Sequence, residues 1–339
     1  MSGLQFLAIG ICFVLNMIDG MDVLLISFTS SELESEWGLS KSQLGYIYSA
    51  GLFGMMLGSL FLGPYADKFG RRTMLLFATL VVTLGMLYSA LSPSYAHMTL
   101  SRFITGLGIG AMLPIMTAIV SEFANEKRRD LSVGIFISGF PVGAIITGLF
   151  VAWAVPAFGW RFTFASASAI SAIMLPVIYF LMPESLDYLA DKQPKSALPK
   201  INRILEKMGH VALAALPTAP EKLPSSDWRP LLAREMRSST LLLWTGVFFG
   251  FLTVYTLISW IPNIARTSGM PFELATYAGT AFNVGAFIGS VVIGGLAVWF
   301  GLRRLILTFM LSAFVLMAIY GNVALPYVIM FGVIIALGI

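Results

Sequence analysis

Between two long apolar runs the chain reads Gly63-Pro64-Tyr65-Ala66-Asp67-Lys68-Phe69-Gly70-Arg71-Arg72. Gly63 and Gly70 permit a tight turn between two helices. Asp67 can accept hydrogen bonds from a helix N-terminus and can pair with Arg71 or Arg72. The flanking runs, at about 44–63 and 73–92, are each long enough to cross a bilayer. A short basic turn between two such runs is what neighbouring membrane spans require on their positively charged side.

Reading outward from this turn, similar runs fill almost the whole chain. The hydrocarbon core is ~30 Å thick, so a span needs about 20 mostly apolar helical residues. Spans are expected at about 4–28, 44–63, 73–92, 97–121, 132–154 and 161–182, then at 239–262, 274–299, 303–322 and 324–339. The segments are too long and continuous for alternating barrel strands. Helices satisfy their own backbone groups in lipid, so the fold class is an all-α polytopic membrane protein. Composition agrees: hydrophobic residues make up 58%, charged residues 11%, and the mean hydropathy is +0.86. Soluble domains carry about 25% charge.

Charge placement sets the orientation. Seventeen of the 21 Lys and Arg fall on alternate loops of one side: 64–72, 122–131, 183–238 and the turn at Arg303 and Arg304. The other side carries only Lys41, Arg161 and Arg266, and Arg102 lies inside a span. Positive loops stay in the cytoplasm, so the N-terminus and the long loop are expected there. No basic residue precedes the first apolar run, and no small-residue cleavage signal follows it, so that run is expected to remain as a span. Cys12, the single cysteine, rules out an internal disulfide, and no metal ligand cluster accompanies it. The net charge of +4 follows the loop bias and does not point to nucleic acid.

Within the long loop, Ile201, Ile204, Leu205 and Met208 recur at helical spacing among basic residues. Such a helix can lie on the anionic membrane surface or serve as a solvated linker between halves. The basic turn also has a second copy: Gly294-Gly-Leu-Ala-Val-Trp-Phe-Gly-Leu-Arg303, with Val298 in place of Asp67 and Leu302 in place of Arg71. Two six-span halves related by a repeat, with a site near the midplane, form a common transporter architecture. The expected organisation is a six-helix N-terminal bundle at 1–182, a cytoplasmic loop at 183–238, and a partial C-terminal bundle at 239–339. About ten of twelve transmembrane helices would then be present, as in a chain cut short in its second half.

The turn Gly63-x-x-x-Asp67-x-x-Gly70-Arg71-Arg72 resembles the signature cytoplasmic loop of the major facilitator superfamily. That resemblance implies the major facilitator fold and a gating role for Gly63, Asp67, Gly70, Arg71 and Arg72. Arg102 through Gly110, Gly139-Phe-Pro141-Val-Gly143 with Gly148, and Pro183-Glu184-Ser185 resemble further motifs of the same superfamily. More narrowly, Leu15-Asn-Met-Ile-Asp19-Gly20-Met21-Asp22 resembles the first-span signature of the aromatic acid:proton symporter family, although Met21 stands where an aromatic residue is commoner. Trp160-Arg161, Tyr255, Trp260-Ile-Pro262 and Asn283-Val-Gly285 also sit where that family's patterns place them.

The carboxylates have a reading independent of any family. An ionised Asp at membrane depth costs roughly 3 kcal/mol on insertion scales, so two within one turn are hard to retain for packing alone. At i and i+3, Asp19 and Asp22 share a helix face. Two carboxylates this close do not both ionise readily, which lets the pair hold a proton. Counting along the helices puts Asp22 and Arg102 at the same depth, ~8–9 Å below the outer surface. Arg102 can then neutralise the pair or bind a substrate carboxylate. The plainer reading of Asp22 is an interfacial residue at the outer helix end. Substrate-binding candidates are Asn16, Tyr46 with its neighbour Tyr48, Tyr255, Trp260 and Asn283. For the aromatics, packing against lipid is the plainer role, and for Asn283 helix–helix bonding.

The expected function is a proton-coupled symporter importing an aromatic or related organic acid across a bacterial inner membrane by alternating access. It would act as a monomer, with protons and a small organic acid as its partners and without cofactor or metal. A sugar or non-aromatic carboxylate symporter, or a non-transporting remnant or membrane sensor, are the alternatives. No nucleophile with a base and no phosphate-binding glycine loop suggests an enzyme.

Overall fold

The structure, a computed structural model, describes residues 2–216, 232–322 and 326–339. Part of the expected long loop and the start of the last expected span lie outside these residues. So do several side chains of the second copy of the basic turn, Val298 and Leu302 among them.

The described elements are helical. α1 covers Gly3–Trp37 and α2 Lys41–Leu57. The latter continues through a π turn at Gly58–Leu62 and a 3-10 turn at Gly63–Tyr65 into α3, Ala66–Phe69. Then come α4 (Arg71–Ala90), α5 (Tyr95–Phe123), α6 (Arg129–Phe158) and α7 (Trp160–Leu181). Two short helices follow, α8 (Leu186–Lys192) and α9 (Ala197–Met208), and then α10 (Arg237–Thr267), α11 (Phe272–Phe300), α12 (Leu302–Asn322) and α13 (Tyr327–Gly338). Among the described residues, eight of the helical runs are long and apolar enough to cross a membrane. Their outward faces carry large apolar side chains such as Leu60, Trp153, Phe180 and Leu242. A surface of that kind belongs against lipid.

Helix ends follow local chemistry. Ser2 caps α1 by accepting from the Gln5 amide, while the Gln5 side chain accepts from the Ser2 amide, the reciprocal capping arrangement. The expected first span stops near residue 28, but α1 runs on to Trp37. In its polar outer turns the Thr29 and Ser30 hydroxyls donate back to the Leu25 and Ser27 carbonyls. Gly38 then ends the helix at φ +61, and Gly70 separates α3 from α4 at φ +98. Gly269 and Gly301 repeat these left-handed positions, each exactly 231 residues further on. The internal repeat is therefore written in the backbone as well as in the sequence.

Close helix approach depends on missing side chains. A Cβ on Gly143 would strike the Met17 backbone, and one on Gly106 the Gly51 backbone. These contacts join α6 to α1 and α5 to α2, as expected where small residues face a neighbouring helix. Prolines inside α6 and α10 leave carbonyls without their usual donor, and α1 supplies the replacement at both places. Asn16 Nδ2 donates to Ile137 O at 3.2 Å, the carbonyl one turn before Pro141, and to Phe136 O at 2.7 Å. Ser27 Oγ donates to Ile258 O, one turn before Pro262, and to Ser259 O, both at 2.8 Å.

The Ser27 contact belongs to a seal between helices at the end remote from the basic loops. Asn263 Nδ2 reaches Glu34 Oε2 at 3.2 Å, and Lys41 Nζ reaches Asn263 Oδ1 at 2.8 Å and Glu34 Oε1 at 2.8 Å. Beside them, Gly279 and Gly148 leave room for Phe28 and Thr280 respectively. In the long loop, α9 forms where the apolar spacing places it. Its buried Ile201 and Ile204 pack with the core cluster. That apolar face covers protein rather than lipid, because the ends of α1 and α8 lie beneath it.

Candidate functional site

Arg102 enters the bundle from α5 and Asp22 from α1. Arg102 Nη1 donates to Asp22 Oδ1 at 2.7 Å, with both side chains almost fully buried. Its other terminal nitrogen donates to Ser89 Oγ of α4 at 2.5 Å and to Thr105 Oγ1 at 3.2 Å. The guanidinium also lies 5.1 Å from the centre of the Phe164 ring of α7, within cation–π range. Four helices thus converge on one cation. A buried ion pair persists only where further bonds satisfy the remaining polar atoms, and Ser89 and Thr105 do so here. Arg102 Nε alone is left without a partner.

One turn earlier on α1, Asp19 is buried to 3% exposure, and its Oδ1 has no hydrogen-bond partner among the described residues. Buried polar atoms are seldom left so. An ionised carboxylate at this depth is costly.

Asp22 and Arg102 line a cavity of about 40 Å³ together with Tyr48, Tyr255 and Ser259. The same Tyr48, Tyr255 and Ser259 also line a second cavity of about 730 Å³ between α2, α5 and α10. It runs from Trp260 towards Ser59 and Leu113, the end that carries the basic loops. Tyr48 and Trp260 meet edge to face with ring centres 5.5 Å apart, and Tyr255 stacks on Phe251 at 6.0 Å. A small recess holding the ion pair therefore opens beside a larger, mostly apolar and aromatic chamber. Volumes of about 300–1,000 Å³ suit small organic ligands.

Of the residues singled out in the sequence, Asp22, Arg102, Tyr255 and Trp260 meet at these cavities. Tyr46 does not: it is 64% exposed on the outer face of α2, and its neighbour Tyr48 takes the inward position. Asn16 gives its amide hydrogens to the carbonyls before Pro141. Asn283 donates to Gly279 O of its own helix at 2.9 Å, which engages one of its two amide hydrogens, whereas both of Asn16's are taken. In the basic turn, Asp67 is 78% exposed and 4.0 Å from Arg71. Arg71 pairs instead with the half-buried Glu122 at the end of α5. Glu122 also accepts from Ser185 Oγ at 2.7 Å, and Glu184 accepts from the Arg72 amide at 3.0 Å. Sequence reasoning did not single out Ser89, Thr105, Phe164, Ser259 or Glu122. Only Glu122 carried a signal, an acid at a span end on the basic side.

With this geometry in hand, the family can be stated. The profile described as the Major Facilitator Superfamily matches residues 12–339, and the chain belongs to that superfamily. It is a membrane protein of the major facilitator fold. A 4-hydroxybenzoate transporter PcaK of Acinetobacter baylyi is 31% identical over 329 residues, 95% of this chain and 72% of that protein. The gallate transporter of Pseudomonas putida is 32% identical over 296 residues, 86% and 65% respectively. The chain thus spans about two thirds of the length of these relatives. Among solved structures, the xylose transporter XylE of E. coli in a partially occluded inward open conformation superposes with a TM-score of 0.79. At 18% identity it covers 99% of this chain and 81% of its own, and it speaks to the fold alone.

Proposed function

We propose that the protein is a proton-coupled symporter that brings an aromatic acid across the bacterial inner membrane, with its N-terminus in the cytoplasm. The observation that carries this reading is the buried Asp22–Arg102 pair at the head of an aromatic chamber, with the unpartnered Asp19 one turn away. The relatives' substrates, gallate and 4-hydroxybenzoate, have the same two parts as the site: a carboxylate and a ring.

The substrate carboxylate docks on Arg102, whose planar guanidinium suits bidentate binding, and competes there with Asp22. The small recess is too tight for a ring, so the ring lies in the chamber among Tyr48, Tyr255 and Trp260. Asp19 takes up a proton, which offsets the negative charge arriving with the substrate. The helices are held together away from the basic loops by Ser27, Asn263, Glu34 and Lys41. The chamber extends towards the opposite end, which supports an inward-facing state of an alternating-access cycle. Gly63, Asp67, Gly70, Arg71 and Arg72 act in that cycle as the cytoplasmic gating turn.

Uptake of labelled 4-hydroxybenzoate into proteoliposomes, with and without an imposed pH gradient, tests the reading. Gradient-driven accumulation that unlabelled gallate competes away, and that xylose leaves untouched, is expected. Accumulation indifferent to a protonophore, or blocked by xylose alone, would overturn it.

A further inference from the structure

At the basic end of the molecule a cavity of about 690 Å³ lies between α4, α7 and α9. Four cations line it: Arg72 at the start of α4, and Lys200, Arg203 and Lys207 along α9. Arg72 is already engaged, since its guanidinium donates to the Tyr179 carbonyl and lies 5.5 Å from that residue's ring. The one carboxylate in the lining, Glu184, is engaged too, because its Oε1 accepts from the backbone amides of Arg72 and Ser185 at 3.0 Å each. The side chains of Lys200, Arg203 and Lys207 make no hydrogen bond or ion pair among the described residues. Three uncompensated positive charges therefore face one concavity.

The opposite wall has different chemistry. Tyr179 and Phe180 at the end of α7 are 57% and 76% exposed, in line with the lipid-facing surface of that helix. The buried Ile201 and Ile204 anchor α9 to the bundle, which fixes its cations over the cavity rather than leaving them on a free linker. A cationic wall and an apolar wall meeting at the ends of two spans match an amphiphile with an anionic head and apolar tails.

We infer that this cavity binds the headgroup of an anionic phospholipid, with its phosphate on Lys200, Arg203 and Lys207 and its acyl chains along Phe180. The inference takes the basic end as cytoplasmic and is independent of what the chain transports. The apolar wall favours a lipid over free phosphate. Each basic residue near an anionic lipid surface contributes roughly fivefold in partition.

Native mass spectrometry of the protein released from micelles with equimolar phosphatidylglycerol and phosphatidylcholine tests this. The unaltered protein should retain phosphatidylglycerol preferentially. K200Q/R203Q/K207Q should lose that preference by roughly tenfold or more, with circular dichroism and melting unchanged because the three side chains are exposed. R303Q/R304Q, on a different basic turn, should keep it. Equal retention by the triple variant, or equal loss in the R303Q/R304Q control, would overturn the site. Displacement of the lipid by excess inorganic phosphate would overturn the choice of a lipid ligand.

Discussion

Arg102 Nη1 and Asp22 Oδ1 meet at 2.7 Å inside the bundle and join α5 to α1. Removing one member of a buried pair strands the other's charge, which costs about 3–5 kcal/mol, whereas removing both charges together leaves none stranded. Asp22→Asn and Arg102→Met should each lower the melting temperature in detergent sharply. D22N/R102M should recover most of that loss without recovering uptake. A double variant as unstable as the two single losses added together would show that the residues do not act as a pair.

The amide of Asn16 stands in for the N–H that Pro141 lacks. Asn16→Ala should cost about 1–2 kcal/mol, the range for hydrogen bonds between helices in a membrane. Pro141→Ala returns a donor to the Ile137 carbonyl and should offset part of that cost. A double-mutant cycle on melting temperatures reads the coupling. Zero coupling would contradict the proposed substitution of one donor for the other.

At the far end, Ser27, Glu34, Lys41 and Asn263 close α1 and α2 against α10. Losing two such bonds, at about 1 kcal/mol each, should shift an inward–outward equilibrium by roughly tenfold or more. Spin labels at the exposed Ser42 and Ser268 should report a longer distance in S27A/N263A than in the unaltered protein. An unchanged distance distribution would mean that these contacts do not hold the seal.

In the basic turn, the better-shielded partner of Arg71 is Glu122 rather than Asp67. Glu122→Gln should therefore destabilise the protein by several kcal/mol. Asp67→Asn, an exposed member of a 4.0 Å pair, should change stability by less than about 1 kcal/mol. Melting curves of the two variants decide this, and the reverse order would refute the assignment.

Much of this was legible in the sequence because the membrane makes charge conspicuous. Asp19, Asp22 and Arg102 stood out as ions among apolar residues, and the structure buries all three. Gly70 and Gly301 announced the repeat. What could not be read was the direction in which individual side chains of α2 point. That helix is apolar on every side, so nothing in its pattern separates Tyr46 from Tyr48. The task of Asn16 was hidden for another reason, since the carbonyls it serves are exposed by a proline 125 residues away in the chain. Asn283 looked like an unsatisfied amide until its bond within its own helix was placed.

In the proposed cycle Asp19, buried and without a partner for its Oδ1 among the described residues, holds the proton that couples uptake to the pH gradient. The direct test compares Asp19→Asn with the unaltered protein in proteoliposomes, measuring gradient-driven accumulation and substrate counterflow side by side. The account predicts that D19N loses accumulation yet keeps counterflow, because a permanently neutral side chain mimics the protonated state. Full pH-driven accumulation by D19N would contradict it.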